Sequence, residues 1–438
     1  MTELSFNGSQ ANGSLPQIAR RILDAMVAAV DPQILVRRAV QRSGDQLNLN
    51  GIRIDLAHYH QLHCLGAGKA AAAMAAGLLP RIHDRVYGGV VITPRGVTAD
   101  IAPVSRLNGD HPLPGHRSRA ATRALLRYVD QHIGSRDLVF FLLSGGASSL
   151  LAAPPGGIST RRWHRLNRQL LFCGAPIAEV NRVRAMYSQV KGGRLARRIF
   201  PAALWTLAIS DVIGSSPGTI GSAPTVAAAT PDLMQARAIC RRYGLSCDLS
   251  LLNNPHPPFD DGPFPPGGYH LVGDNRTALE AGCMQAAAAG FPAAVLTTRL
   301  QGAVEAAAQR LSTAMRRFRG ARPPRAWVFG GETTVRVRGN GRGGRNQELV
   351  LRLLSRLRDL PGPWCVACMG SDGIDGNSPA AGAWISHESA GRLCGLESAL
   401  ERALENNDSH RFFRRFGGLV GTGPTGTNVM DLGVILMA

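Results

Sequence analysis

The chain has only two lysines, Lys69 and Lys191, although it carries 49 lysine and arginine residues among 438. A surface position accepts either cation, whereas a site that needs a compact, rotatable ammonium does not accept a planar guanidinium. Both lysines stand among glycines, in segments 66–71 and 191–194, where backbone amides can approach an anion. The two lysines therefore predict anion-binding positions, and Lys69 is the first candidate for a catalytic cation. For Lys191, a structural contact to the last carbonyls of a helix would explain the residue about as well as substrate binding.

Two loops rich in glycine and hydroxyl residues are candidate phosphate sites. One follows the apolar segment 138–143, and a strand that turns through glycines into a helix forms a nest of amides for phosphate. Its candidate residues are Ser144, Gly145, Gly146 and Ser148. The second loop spans 421–428, and its candidate residues are Gly423, Thr425, Gly426, Thr427 and Asn428.

Carboxylates and one arginine complete the set of reactive groups. Asp211 and Asp372 each follow a predicted strand, as the carboxylates of metal-phosphate sites do. Arg345 opens a predicted helix and offers a guanidinium fork to a carboxylate or phosphate. Phosphate nests, cations and carboxylates together predict phosphoryl transfer. The sequence leaves open which carboxylate binds metal and which acts as base.

The segments that position these loops alternate between apolar strands and amphipathic helices. This alternation predicts a parallel α/β sheet followed by a second α/β unit. The predicted strands are 62–65, 87–93, 138–143, 204–209, 270–273, 293–297, 326–329, 364–369 and 434–437. The predicted helices include 15–40, 117–133, 276–290 and 302–318.

A segment dense in proline and glycine between residues 253 and 268 predicts the domain boundary. The predicted organisation is then a disordered tail, an N-terminal domain, a linker and a C-terminal domain. Their ranges are 1–14, 15–250, 251–268 and 269–438.

Composition narrows the class of protein. A net charge of +19 is typical of proteins that bind nucleic acid. The arginines occur singly or in pairs, however, and aromatic residues make up only 5%, which argues against nucleic-acid binding. The charge instead suits small anionic ligands. Eight cysteines in a long chain without a secretory signal predict reduced thiols and a cytoplasmic location. Cys365 and Cys368 lie in an apolar predicted strand, which favours packing over redox chemistry. No segment is long and apolar enough to predict a membrane span.

The Lys69 loop lacks the Walker A motif and fits only the spacing of a dinucleotide-binding loop. The Walker A motif fails because Ala70 follows Lys69 where serine or threonine is needed. The spacing Gly66, Gly68, Ala71 fits the looser dinucleotide pattern, but the next predicted strand ends in proline and arginine, without an acid to hold a ribose. A nicotinamide enzyme is therefore the second hypothesis.

The ordered motifs resemble the glycerate 2-kinase family, in its two-domain type with a C-terminal MOFRL domain. The resemblance covers nearly the whole chain. The segments that carry it are 66–70, 111–112, 143–149, 179–184, 191–195, 210–212, 273–275, 330–334, 343–348, 371–376 and 423–428.

This resemblance implies transfer of the γ-phosphate of ATP to the 2-hydroxyl of D-glycerate, with Mg²⁺ as cofactor. It implies a Rossmann-like parallel-sheet α/β/α N-terminal domain, a smaller α/β C-terminal domain and an active site in the interdomain cleft. Lys69, Arg345 and Asp211 would be catalytic, with Asp211 and Asp372 as metal ligands. The two loops and Lys191 would bind substrate or phosphate.

The expected partners are D-glycerate and ATP, with no nucleic acid and no membrane, and a homo-oligomer stays open. Some members of the family are labelled hydroxypyruvate reductase, so NAD(P)H-dependent reduction of hydroxypyruvate is the alternative. The chain departs from the family pattern at three places. Ser215 follows Gly214 where an acidic residue is usual, Ala223 replaces a glycine, and Gly115 replaces an aspartate.

Overall fold

The computed structural model describes residues 5–6, 13–156, 158–227, 233–245, 263–318 and 324–438. They fall into two units. Pro32–Val272 is called the N-terminal unit below, and Met1–Asp31 together with Gly273–Ala438 is called the C-terminal unit.

The strands within the described residues, in chain order, are β1 (Ser5–Phe6), β2 (Val40–Ser43), β3 (Gln46–Leu49), β4 (Ile52–Asp55), β5 (Leu62–Ala67), β6 (Val86–Pro94), β7 (Val104–Gly109), β8 (Leu138–Leu143), β9 (Ala203–Ile209), β10 (Gly267–Gly273), β11 (Ala293–Ala303), β12 (Arg325–Thr334), β13 (Trp364–Gly370), β14 (Gly382–Ser386), β15 (Leu419–Gly421) and β16 (Asp431–Met437).

The α-helices of the same residues are α1 (Leu15–Ala29), α2 (Pro32–Ala39), α3 (Ala71–Ile82), α4 (His116–His132), α5 (Ala147–Leu150), α6 (Thr160–Phe172), α7 (Ile177–Met186), α8 (Arg194–Ile199), α9 (Leu233–Arg242), α10 (Asn275–Ala288), α11 (Val304–Phe318), α12 (Arg345–Leu357), α13 (His387–Gly391), α14 (Glu397–Glu405) and α15 (Ser409–Phe416). Two short 3₁₀ turns lie at Leu56–His58 and Ile220–Ser222.

The N-terminal unit is built on a six-stranded sheet in the order β10-β9-β8-β5-β6-β7. The pairs β5–β6, β5–β8, β6–β7 and β8–β9 are parallel. Every residue of β5 and β8 is buried, as expected for central strands of a parallel sheet. The predicted parallel α/β fold is confirmed, and the strand predicted at 138–143 has the same bounds as β8.

The C-terminal unit has a mixed seven-stranded sheet in the order β1-β15-β14-β13-β16-β12-β11. Among the described residues of this sheet, only β11 and β12 pair in parallel, and the other pairs are antiparallel. Helices α11 and α12 place their apolar residues in the core beneath this sheet. The two-domain α/β class predicted from the sequence is confirmed, with the addition that the second sheet is mixed.

The single helix predicted over 15–40 is wrong. The structure has two helices, α1 and α2, and the break falls just before Pro32. Proline lacks the amide that continues a helix but fits the first position of a new one. The small antiparallel sheet β2-β3-β4 follows directly, and the sequence analysis did not predict it.

The predicted domain ranges divide the chain differently from its contacts. Helix α1 was placed in the N-terminal domain, but it packs on α10, β13 and β16 and belongs to the C-terminal unit. Within the predicted tail, Ser5 and Phe6 pair with β15, and 1–4 and 7–12 lie outside the described residues. Most of the predicted linker also lies outside them, but Gly267 already belongs to β10.

The cysteines follow the sequence expectation except at one position. Cys365 and Cys368 are free and buried in β13, as predicted. The expectation of reduced thiols is wrong for Cys240, which is disulfide-bonded. Six other cysteines are free: Cys64, Cys173, Cys283, Cys365, Cys368 and Cys394. Across the part of the chain that the structure describes, no helix is both long and apolar enough to cross a bilayer.

The departure at Ala223 has a measurable cost. Ala223 has φ +54° and ψ +61°, a left-handed conformation that costs a residue with a Cβ about 1 kcal/mol. We expect Ala223→Gly to raise the free energy of unfolding by up to about 1 kcal/mol. The greater conformational entropy of glycine in the unfolded chain offsets part of this gain. Urea unfolding checks this, with Ala124→Gly inside α4 as the control that should lose about 1 kcal/mol. Equal losses in both variants would refute the left-handed strain.

Candidate active site

Lys69 lies where β5 passes into α3, at the carboxyl edge of the parallel sheet. The adjacent strand β8 ends in register, with Ala67 opposite Leu143. The Ser144 Oγ accepts a hydrogen bond from the Ala70 amide at 3.0 Å, and the Lys69 amide donates to the Gly145 carbonyl at 2.9 Å. The two strand-end loops therefore hold each other in place.

The loop after β8 keeps two amides available for a ligand. Among the described residues, the amides of Gly145 and Gly146 make no hydrogen bond. Gly146 has φ +84° and precedes α5, so the chain turns through a left-handed residue into a helix start. This is the geometry of an anion-binding nest. Phosphate binding by this loop stays a prediction, which its backbone geometry allows.

The same loop brings Lys69 and Asp211 together. A Cβ on Gly145 would lie 2.1 Å from Asp211 Oδ2, so only glycine fits there. A Cβ on Gly146 would lie 3.4 Å from Lys69 Cγ and 3.1 Å from His111 Nε2. The structure therefore groups three predicted positions with His111, a residue of the 111–112 segment that carries the family resemblance.

Lys191 makes the structural contact to helix carbonyls that the sequence left open beside substrate binding. It is fully buried, and its Nζ donates to the carbonyls of Ser148 at 2.7 Å and Leu151 at 3.1 Å. The amides expected to be free beside it are bonded, since Gly192 donates to the Ser222 carbonyl at 3.1 Å and Gly193 to the Ala223 carbonyl at 2.7 Å. Lys191 holds the carbonyl end of α5, and the glycines behind it form no open anion nest.

The buried ammonium makes stability depend on pH. Burial, reinforced by the charge of Arg184, lowers the pKa of Lys191 from 10.5 to about 7. Between these values the unfolded chain binds more protons than the folded chain, so stability rises with pH. We expect the free energy of unfolding of the native protein, relative to Lys191→Met, to rise by up to about 1.4 kcal/mol per pH unit from pH 7 to 9. Urea titrations at three pH values measure it, and parallel profiles would contradict it.

In the C-terminal unit, Arg345 begins α12 and bonds two carboxylates. Its Nε donates to Asp431 Oδ2 at 2.7 Å, and its Nη1 donates to Glu332 Oε1 at 2.8 Å. Burial opposes the charge, but the carboxylates of Asp431 and Glu332 raise the pKa of Arg345 above its usual range. The guanidinium is fixed in orientation and fully charged, while a third of the side chain stays exposed.

The start of α12 is fixed by a third carboxylate, Asp375. Its two oxygens accept from the backbone amides of Asn346 at 3.0 Å and Gln347 at 2.8 Å. The side-chain amide of Asn346 also donates to Asp431 at 2.9 Å. Burial raises the pKa of Asp375 to about 6, and the amide donors act in the opposite sense. This network links the first turn of α12 to the edge of the sheet at Asp431.

The second predicted phosphate loop packs on the turn that carries Asp372. Thr425 donates its amide to the Asp372 carbonyl at 3.3 Å and its hydroxyl to the Ser371 carbonyl at 2.5 Å. The hydroxyl of Thr427 is buried and has no hydrogen-bond partner in the part of the chain that the structure describes. Gly423 and Gly426 have positive φ, and the Asn428 side chain accepts from the Met430 amide at 3.2 Å. Within this unit, Arg345, Asp372 and the loop converge near the start of β16.

Two family models match the chain. Residues 18–252 match the family described as a domain of unknown function (DUF4147), and residues 325–431 match the MOFRL family. D-glycerate 2-kinase of Thermotoga maritima is 34% identical over 439 residues, which covers 96% of this chain and 97% of that protein. The chain belongs to the glycerate 2-kinase family.

A solved structure of a glycerate kinase has the same fold as this chain, and one relative carries a different name. The crystal structure of a glycerate kinase from Thermotoga maritima superposes with a TM-score of 0.84 at 32% identity, covering 97% of this chain and 99% of that one. A protein of Agrobacterium vitis named putative hydroxypyruvate reductase is 37% identical over 97% of this chain and 95% of its own length.

The family motifs did not reveal the partners of Arg345. Asp431 was not singled out, although a buried acid that opens the apolar strand β16 is an unusual residue in the sequence. The departure at Gly115 has a local explanation. A Cβ there would lie 2.4 Å from Asp110 Oδ2, and that oxygen accepts from the Arg117 amide at 2.9 Å near the start of α4. An aspartate at 115 would collide with this carboxylate.

Proposed function

We propose that this protein transfers the γ-phosphoryl group of ATP to the 2-hydroxyl of D-glycerate, giving 2-phosphoglycerate. The observation that carries the proposal is the grouping of Lys69, the unbonded amides of Gly145 and Gly146, and Asp211 at one strand edge. Amides and an ammonium bind phosphate oxygens, and a carboxylate beside them binds metal or accepts a hydroxyl proton. The names of the relatives point to the same reaction.

The residues of both units have distinct roles in this proposal. Lys69 stabilises charge on the transferring phosphoryl group, because a mobile ammonium can follow its oxygens. Arg345, held by Asp431 and Glu332, presents its remaining N–H groups to an anionic oxygen. The Thr427 hydroxyl, which lacks a hydrogen-bond partner among the described residues, is a candidate donor to a nucleotide oxygen.

Magnesium is the proposed cofactor, and each unit offers one candidate ligand for it, Asp211 in the N-terminal unit and Asp372 in the C-terminal unit. Among the residues that the structure describes, no group of three or more histidine, cysteine or acidic side chains is arranged to hold a metal. This fits Mg²⁺ in a kinase, since the ion usually keeps several waters and uses one or two carboxylates plus substrate phosphates. Bound there, the ion would neutralise charge on the phosphates. The two oxygens of Asp375 already accept amide protons, so that residue is a poor ligand.

Reduction of hydroxypyruvate is the alternative, and the name of the Agrobacterium vitis relative favours it. The Lys69 loop argues against it. A dinucleotide site needs an acid at the end of the next strand to bind the ribose, and β6 ends at Pro94 with Arg95 following.

One pair of assays separates these activities. ADP release is followed with ATP, D-glycerate and a Mg²⁺ titration, and NADPH oxidation is followed in parallel with hydroxypyruvate. The proposal expects glycerate-dependent ADP release that disappears without Mg²⁺, and formation of 2-phosphoglycerate rather than 3-phosphoglycerate. Oxidation of NADPH without ADP release would overturn it. Cytoplasmic location stays a prediction.

A further inference from the structure

Arg184, on α7, carries a largely buried guanidinium. Its Nη1 donates to Ser148 Oγ at 3.5 Å, and its buried Nε has no hydrogen-bond partner among the described residues. Within the described residues it forms no ion pair with a carboxylate. Burial lowers its pKa. A buried cation without a partner is costly unless a ligand supplies the missing charge.

A second buried cation increases this local excess of positive charge. The Lys191 ammonium bonds only carbonyl oxygens, at Ser148 and Leu151, and the Arg184 charge acts on it unfavourably. An anion bound at Arg184 would offset the repulsion felt by both groups. The pair therefore has the electrostatics of an anion site rather than of a packed core.

Neutral hydrogen-bonding groups extend from the guanidinium through the Ser148 hydroxyl. The hydroxyls of Ser148 and Ser222 lie 2.7 Å apart, and Ser222 donates to Asn181 Oδ1 at 3.0 Å. Hydroxyl and amide groups of this kind recognise the hydroxyls of a small polar ligand. Ser148 lies two residues after Gly146, where a Cβ would lie 3.4 Å from Lys69 Cγ. Lys69 and Arg184 therefore adjoin the same short turn, one at Gly146 and one at Ser148.

We propose that Arg184 binds the carboxylate of the hydroxy-acid substrate, with Ser148 and Asn181 as neutral partners. This assignment rests on the proposed kinase function. Nη1 faces Ser148, so the edge formed by Nε and Nη2 remains for the ligand, and two parallel N–H groups match a carboxylate. The phosphate groups have their own donors in Lys69 and the amides of Gly145 and Gly146.

The test compares Arg184→Met and Arg184→Lys with Arg182→Met, an exposed arginine on the same helix. KM is measured separately for D-glycerate and for ATP. We expect Arg184→Met to raise KM for D-glycerate at least 100-fold and Arg184→Lys about 10-fold, with KM for ATP changed less than twofold. Arg182→Met should match the native enzyme. Glycerol lacks the carboxylate, so the native enzyme should have a higher KM for glycerol than for D-glycerate. In Arg184→Met this difference in KM should disappear.

Binding without turnover gives a second readout. D-glycerate alone should raise the Tm of the native protein and of Arg182→Met, and should not raise that of either Arg184 variant. An unchanged KM for D-glycerate in Arg184→Met would overturn the assignment. A KM for ATP that rises instead would place a nucleotide phosphate at this site. If the native protein releases no ADP with glycerate, the kinase proposal itself fails. If Arg184→Met does not fold, Arg184→Lys decides the question.

Discussion

Lys69→Arg is expected to lower kcat for glycerate phosphorylation by at least 100-fold. The Lys69 stem runs close to Gly146, where a Cβ would already be 3.4 Å from its Cγ. A guanidinium is wider and planar, so it cannot take the place of an ammonium in this space and follow a moving phosphoryl group. Loss of one preorganised charge contact commonly costs a factor of about 10² to 10³ in kcat.

The matched control is Arg95→Lys, since Arg95 is exposed just after β6. This variant tests whether the exchange of arginine and lysine is tolerated at an exposed position. We expect its kcat to stay within twofold of the native value. Thermal unfolding of both variants shows whether the fold is kept. If Lys69→Arg is folded and retains half of the native kcat, the compact ammonium is not required.

The second large effect is expected at Arg345. Arg345→Lys should lower kcat by about 100-fold, because one ammonium cannot bond Asp431 and Glu332 at their present positions and still face a ligand. Glu332→Gln keeps an oxygen acceptor and should lose less than 10-fold. Steady-state kinetics of the three proteins gives the comparison.

Arg352 supplies a control on the same helix. It also bonds two carboxylates, Glu348 at 2.7 Å and Glu305 at 2.8 Å, but it lies two turns further along α12. Arg352→Lys should reduce stability while kcat stays unchanged. Equal losses of kcat in Arg345→Lys and Arg352→Lys would mean that Arg345 acts only by holding the helix.

The sequence predicted the parallel sheet and the loops at its edge because both leave local signals. Strand β8 is an uninterrupted apolar run, and the glycines that follow it mark the turn. The partners of Arg345 leave no such signal, since Asp431 is 86 residues away and meets it only through the pairing of β12, β13 and β16. Long-range antiparallel pairing is decided by packing that one sequence does not display.

Lys191 shows a different limit of the sequence. Its rarity and its glycine neighbours indicated a special site, but they could not distinguish an ammonium that meets a ligand from one that meets carbonyl oxygens. Pro32 indicates a break between α1 and α2, but the apolar periodicity on both sides of it favours one continuous helix. The unpaired Arg184 could not be found at all without knowing which side chains surround it.

The placement of α1 has a consequence for how the protein is made. Ile22, Leu23 and Met26 are buried against parts of the C-terminal unit, and α10 follows roughly 250 residues later in the chain. At a ribosomal rate of about 5–20 residues per second, this apolar face waits roughly 10–50 s for its partner to emerge. The nascent chain therefore carries an uncovered amphipathic helix throughout the synthesis of the N-terminal unit, and trigger-factor-like holdases that shield such surfaces are expected to raise the yield of folded protein.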